Sequence, residues 1–243
     1  MRSRLDTQLV VRELCLSREK AKRLVLAGAV RVNGQLAHKP SELVDEHAVL
    51  SVEAVQKYVG RGGYKLEAAL DQFHLSCDGL VCADLGASTG GFTDCLLQRG
   101  AACVHAVDVG KGQLAWSLRE NARVVVHDEL NARHLATDHL GGTVDLVTID
   151  VAFISLTKVL PSAVAVLKPG GMIVALIKPQ FEAGRKLVKT GGVVRDSRVH
   201  EAVTNMIQQF ATQTLGLEIL GVTESPLLGP AGNKEFFIGL RKS

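Results

Sequence analysis

From residue 80 to the C-terminus, apolar runs of strand length alternate with stretches of helical periodicity. The strand-like runs fall at 81–85, 103–107, 123–127, 144–149, 172–177, 218–223 and 235–240, and the helical patterns at about 91–99, 112–119, 155–166 and 197–214. Runs such as LVTI and MIVALI are apolar at every position, which marks strands covered on both faces. A chain that repeats strand, helix, strand in this way forms a mostly parallel sheet with helices on both sides, because parallel neighbours need a crossover between them. The last run, EFFIGL, follows its predecessor through a Gly/Pro-rich loop without a helix and so suits a final antiparallel strand. The expectation is a Rossmann-like, seven-stranded α/β sheet.

The first 60 residues have another pattern. Leu5, Leu9, Val10 and Leu14 fall at helical spacing, and Ser17 caps a second helix, REKAKRLVLA, closed by Gly28. VRVNGQLA carries an Asn-Gly turn between strand-like flanks, and LSVE at 50–53 adds another strand. Gly60, Gly62 and Gly63 then interrupt the chain before a helix from about Tyr64 to Phe73. These signals predict a small α+β domain over residues 1–56, a linker at 57–62 and the large domain over 63–243.

With 47% apolar and 22% charged residues the chain can bury a real core. Five cysteines, odd in number and without CxxC spacing, argue against a disulfide framework or structural zinc and for a reducing cytoplasm. The eight histidines never pair at ligand spacing, so no metal site is expected. The longest apolar runs fall far short of the roughly 20 residues of a membrane span, and the N-terminus has no apolar stretch of signal-peptide length. The reading is a cytoplasmic protein without membrane attachment or an evident obligate protein partner.

Net charge is only +3, but it is unevenly placed: residues 1–40 hold nine Lys/Arg against three acids, whereas residues 60–243 hold 18 of each sign. A second basic stretch runs from Lys178 to Arg198. Local like charge lets a nearly neutral protein grip phosphates. The candidates for RNA contact are Arg4, Arg18, Lys20, Lys22, Arg23, Arg31, Arg61, Arg185, Lys189 and Arg195. Solvated helix faces are the plainer alternative.

The strand VCADL leads into GASTGGF and then a helix. Gly86, Gly90 and Gly91 let the backbone pass close beneath a ligand, and the helix N–H groups add a positive end. Asp108, ending the next strand, is placed to accept ribose hydroxyls. Ser88 stands where a dinucleotide fingerprint wants its middle glycine, whereas Asp84 two residues before Gly86 resembles enzymes that use S-adenosylmethionine. The cofactor candidates are therefore Asp84, Gly86, Ser88, Gly90, Gly91, Phe92, Asp108, Val109 and, for the adenine, Asp128.

Ligands of open α/β sheets bind beyond the carboxyl ends of the strands. Asp150 and Lys178 follow such ends, Lys65 lies on the helix before the first strand, and Glu235 opens the last one. Four polar residues converging on one edge suit methyl transfer to a poor nucleophile such as a sugar hydroxyl, whose proton must be taken as the methyl arrives. An unperturbed lysine is protonated at neutral pH, so Lys65 beside Lys178 is expected to lower its proton affinity, with Asp150 and Glu235 orienting the pair. The fourth strand is followed by DVAF, neither an Asn/Asp-Pro-Pro-aromatic motif nor Pro-Cys, which favours oxygen as the acceptor atom.

RLDTQLVVRELCLSREKAKRLVLAGAVRVNG resembles the S-four RNA-binding domain. RGGYKLEAAL, DLGASTGGFTDCLL, VDVGKGQL, DVAFISL, IKPQFE, GGVVRD and SPLLGPAGNKEF resemble the TlyA family of FtsJ-like methyltransferases. The resemblance implies S-adenosylmethionine-dependent 2′-O-methylation of cytidines in ribosomal RNA, on free RNA or ribosomal subunits. It places the FtsJ-like K-D-K-E tetrad on Lys65, Asp150, Lys178 and Glu235. The segment HDELNAR at 127–133 departs from the family's Glu-Arg-Thr-Asn wording, Ala152 stands where serine is common, and Tyr58 where tryptophan is. Competing readings are a non-catalytic RNA-binding assembly factor and, from the family's older label, a membrane-active haemolysin. With 4% aromatics there is little provision for a base-stacking platform, so folded RNA is the expected partner.

Overall fold

The computed structural model describes residues 2–53, 56–184 and 191–243. The chain divides into two compact units, Met1–Lys57 and Tyr58–Ser243.

The first unit contains β1 (Arg2–Arg4), α1 (Leu5–Val11), α2 (Arg18–Leu26), β2 (Val30–Val32), β3 (Gln35–Leu36), β4 (Leu43–Asp45) and β5 (Leu50–Val52). Ser17 caps α2 by accepting a hydrogen bond from Lys20 N at 3.2 Å, as its position predicts. Asn33 and Gly34 both take left-handed φ, 50° and 81°, which is what a two-residue turn between twisted strands requires. The three-residue strands β1 and β4 pair antiparallel with each other and are too short to show a period in sequence. Leu5, Leu9, Ala21, Val25 and Val30 form the centre of this unit's core.

The second unit contains α3 (Gly62–Gln72), β6 (Val81–Leu85), α4 (Gly91–Gln98), β7 (Cys103–Val107), α5 (Trp116–Arg119), β8 (Val124–His127), α6 (Thr137–Leu140), β9 (Val144–Ile149), α7 (Leu160–Val166), β10 (Leu167–Ile177), α8 (Pro179–Glu182), α9 (Ser197–Gln209), β11 (Glu218–Glu224) and β12 (Phe236–Arg241). Its seven-stranded sheet has the order β11-β12-β10-β9-β6-β7-β8. β12 alone, the expected closing strand, runs against the direction of the other six strands. Successive residues of a strand serve opposite faces: Ala83, Val147 and Ala175 join the core under α7 and α9, whereas Cys82, Leu146 and Val174 join that under α3 and α4.

This unit begins within the stretch read as a linker. Tyr58 is 2% exposed, belongs to the same core as α3 and α4, and meets Tyr64 edge-on at 5.2 Å. The helix expected over 112–119 is confined to Trp116–Arg119, because Gly112 adopts φ +69° and the chain only then turns helical. All five cysteines are free and four are buried. Burial pushes the Cys77 and Cys95 thiols up to about 11 and about 12, away from any reactive thiolate.

Candidate active site

The parallel strands deliver four residues to one edge of the sheet. Leu85 pairs with both Val107 and Ile149, so Gly86, Asp108 and Asp150 leave their strands at the same level. Ile177, before Lys178, pairs with Phe236, which brings Glu235 to that edge as well.

Beyond β6 the chain must turn sharply. Gly86 has φ +86°, and a Cβ there would lie 2.5 Å from the carbonyl oxygen of Asp150. Only glycine lets this loop rest against the end of β9. Gly91 packs on the start of α3 with less crowding, where its Cβ would stand 3.0 Å from Gly63 N, still a tight contact. Gly90 has a different reason: with φ +99°, its Cβ would run into Leu118 and Leu114, so it serves packing. The Asp108 carboxylate accepts Ser88 N–H at 2.8 Å and Gly110 N–H at 2.7 Å, tying the glycine loop to the end of β7.

Two cavities open above this edge. The larger, about 530 Å³, is lined by Gly86, Ser88, Asp108 and Val109 together with Gln113, Leu130, Asn131 and Ile154. The smaller, about 330 Å³, is lined by Lys65, Asp150 and Lys178, with Arg61, Gly91, Phe92 and Pro230. Gly86, Ser88, Asp150 and Ala152 line both, so the two are compartments of one cleft.

Asp84 and Asp128 are not part of either lining. Asp84 is wholly buried, accepting hydrogen bonds from Thr93 at 2.7 Å and Thr148 at 3.1 Å. Burial lifts its carboxyl to about 7. Its place is beneath the glycine loop, bracing β6 against α4 and β9. Asp128 accepts from Arg119 at 2.5 Å and Gly112 N–H at 3.2 Å, and the guanidinium holds its carboxyl below the usual range. The end of β8 instead reaches the cavity through Leu130 and Asn131.

In the smaller compartment the titratable side chains form two pairs. Lys65, 8% exposed, donates to Glu235 Oε2 at 2.6 Å. Lys178 Nζ lies 2.5 Å from Asp150 Oδ1, a charge contact without hydrogen-bond alignment. Each lysine thus has its own carboxylate. Glu235 Oε1 is buried and has no hydrogen-bond partner among the described residues, and a Cβ on Gly229 would stand 2.5 Å from it.

At the mouth stands Phe153, 91% exposed and held at φ +63°, a conformation that costs energy for a bulky residue. Its ring meets Phe181 at 5.0 Å. Sequence reasoning passed over Phe153, although an aromatic three residues past a site aspartate, in DVAF, was a usable signal.

Of the basic candidates, Arg4 and Arg18 both donate to Asp6, a wholly buried carboxylate that they hold well below the usual range. Arg23 pairs with Glu19 and Arg31 with Glu53. Lys20, Lys22, Arg61 and Arg195 are exposed and form no ion pair among the described residues. Arg185 and Lys189 lie outside the described residues. No described cluster of three His, Cys, Asp or Glu could hold a metal ion, and no described helix is long and apolar enough to cross a membrane.

A sheet of this order, with a glycine turn after β6, a carboxylate after β7 and one antiparallel closing strand, defines a methyltransferase. The chain belongs to the FtsJ-like methyltransferase family, whose model matches residues 58–242, and carries an S4 domain at residues 3–50. It is 48% identical to the 16S/23S rRNA (cytidine-2′-O)-methyltransferase TlyA of Mycobacterium tuberculosis over 99% of this chain and 90% of that protein. A Streptococcus thermophilus structure described as a hemolysin superposes with TM-score 0.76 at 43% identity, covering 100% of this chain and 89% of that one. An S-adenosylmethionine-dependent methyltransferase from Mesorhizobium loti shares the fold, with TM-score 0.54 at 17% identity over 75% of this chain and 100% of that one.

Proposed function

We propose that this protein transfers a methyl group from S-adenosylmethionine to the 2′-hydroxyl of a cytidine in ribosomal RNA. The observation that carries the reading is the joining of two compartments by Gly86, Ser88, Asp150 and Ala152, one of about 530 Å³ beside Asp108 and the other lined by two lysines.

The larger compartment fits an adenosyl group. Asp108 keeps lone pairs for ribose hydroxyls beyond its two backbone donors, and Val109, Leu130 and Ile154 supply apolar walls for the base. The glycine loop would hold the amino-acid portion. The cofactor supplies an electrophilic methyl on a sulfonium. The chain's own residues must then orient the ribose and remove its proton. In this reading Lys178, entering as the neutral amine, takes the proton from the 2′-oxygen, Asp150 holds the ammonium so formed, and Lys65, paired with Glu235, lines the same compartment. Positioning carries much of the rate, because a fixed hydroxyl attacks without the entropy cost of encounter.

The exposed Phe153 ring, braced by Phe181, offers a face on which the base of an extruded nucleotide can stack. The S4 unit would dock folded RNA through Lys20, Lys22 and the Asp6-oriented Arg4 and Arg18, at phosphates rather than base edges. The proposed setting is the cytoplasm and the partner ribosomal RNA or a ribosomal subunit.

The test is incubation of unmodified ribosomal subunits with protein and S-adenosylmethionine, followed by partial alkaline hydrolysis. A methylated 2′-oxygen cannot attack the adjacent phosphate, so the product shows one protected cytidine linkage. Methyl groups found only on bases would refute the reading.

A further inference from the structure

The last described parallel pairing between β9 and β10 joins Ile149 to Ala175. Beyond it, Asp150 and Lys178 stand on segments that no shared ladder bond holds in register. Side chains make the connection instead. Glu182 accepts a hydrogen bond from Ser155 Oγ at 2.5 Å and from Leu156 N–H at 2.7 Å, bridging the segment after Asp150 to the turn after Lys178. Its neighbour Phe181 packs on Phe153. Burial raises the Glu182 carboxyl above the ordinary range while the two donors oppose that shift. A desolvated carboxylate is a costly fastener for two loops, sustained only by charge-assisted bonds with defined direction.

We infer that Glu182 is a positioning residue for methyl transfer: it holds the 150–156 segment on the 178–182 turn and thereby sets Asp150 against Lys178 and Phe153 at the mouth. The inference rests on the catalytic reading of Asp150 and Lys178. Glu182 itself forms no ion pair with either lysine among the described residues, so its action is through the backbone it grips. Glu182→Gln is the informative replacement, because the amide oxygen of glutamine still accepts from Leu156 N–H while its NH₂ donates to Ser155 Oγ.

The experiment compares the wild-type protein with Glu182→Ala and Glu182→Gln in three measurements. These are single-turnover transfer to ribosomal RNA, S-adenosylmethionine affinity, and the rate at which acetic anhydride labels Lys178 at one fixed pH. Glu182→Ala is expected to slow transfer by about tenfold or more, with cofactor affinity held within about threefold. It should also speed Lys178 labelling severalfold as Asp150 drifts from it. Glu182→Gln restores both rates. Unchanged transfer and labelling in Glu182→Ala would overturn the inference, as would equal damage in the alanine and glutamine variants, or losses that merely track melting temperature. If the wild type methylates no ribosomal RNA yet labelling responds as described, the tie stands and the assigned reaction fails. If the wild type transfers methyl and labelling does not respond, the reaction stands and the tie fails.

Discussion

The Lys65 ammonium donates to Glu235 Oε2 at 2.6 Å, joining the first helix of the methyltransferase unit to the residue that leads into its last strand, across 170 positions. Both side chains are almost wholly enclosed, so the pair acts as a closure of the fold as well as a wall of the cleft.

Breaking that pair from one side leaves a buried charge alone. Glu235→Ala should therefore destabilise the unit by about 3–5 kcal/mol, whereas the paired replacement Lys65→Met with Glu235→Leu should cost much less while remaining inactive. Urea unfolding of the three proteins checks the order. A single variant as stable as the wild type would contradict it.

The glycine loop has its own test. Gly86→Ala places a Cβ 2.5 Å from the Asp150 carbonyl at a φ of +86°, so the loop must shift and S-adenosylmethionine binding should weaken at least tenfold, about 1.4 kcal/mol. Asp108→Ala should weaken it similarly, because Ser88 N–H and Gly110 N–H lose their acceptor. Isothermal calorimetry decides, and unchanged affinity in both variants would move the cofactor out of this cavity.

Much of this architecture was legible in one dimension, and the failures have a common cause. The strands at 81–85, 103–107 and 144–149 coincide with the apolar runs, since burial on both faces leaves a continuous signal. Strand ends likewise locate Asp108, Asp150 and Lys178. Position along a strand does not say what a side chain meets, however. Asp84 was read as a ligand contact, yet Thr93 from α4 and Thr148 from β9 enclose it. Asp128 was read as the adenine contact, yet Arg119 claims it. Glu182 went unnoticed because its partners, Ser155 and Leu156, lie 27 and 26 positions away.

Asp84 also makes stability depend on pH. Burial lifts its carboxyl to about 7, above the ordinary value of 3.8, so the folded state keeps a proton that the unfolded chain releases. Its contribution is full below about pH 4 and is lost as the pH rises towards 7. Asp84→Asn removes that titration, so the variant should gain stability relative to the wild type between pH 5 and pH 8. A difference in melting temperature that stays constant over this range would contradict the assignment.

In the S4 unit, Asp6 holds Arg4 and Arg18 by internal bonds, whereas Lys20 and Lys22 are free of ion pairs among the described residues. Replacing Lys20 and Lys22 by glutamine should weaken ribosomal RNA binding and lower the slope of log affinity against log salt by about one to two. Filter binding across a salt series measures it. An unaltered slope would leave this face a solvated surface.

The central claim is that Lys178 takes the proton of a ribose hydroxyl in this cleft. Its most direct test is the rate of labelled methyl transfer from S-adenosylmethionine to unmodified ribosomal subunits by the wild type and by Lys178→Ala, with cofactor affinity measured alongside. The account predicts label on a cytidine 2′-oxygen, loss of transfer in the variant by about a thousandfold, and cofactor affinity within a few-fold of the wild type. A Lys178→Ala protein that methylates the same oxygen at the wild-type rate would contradict it.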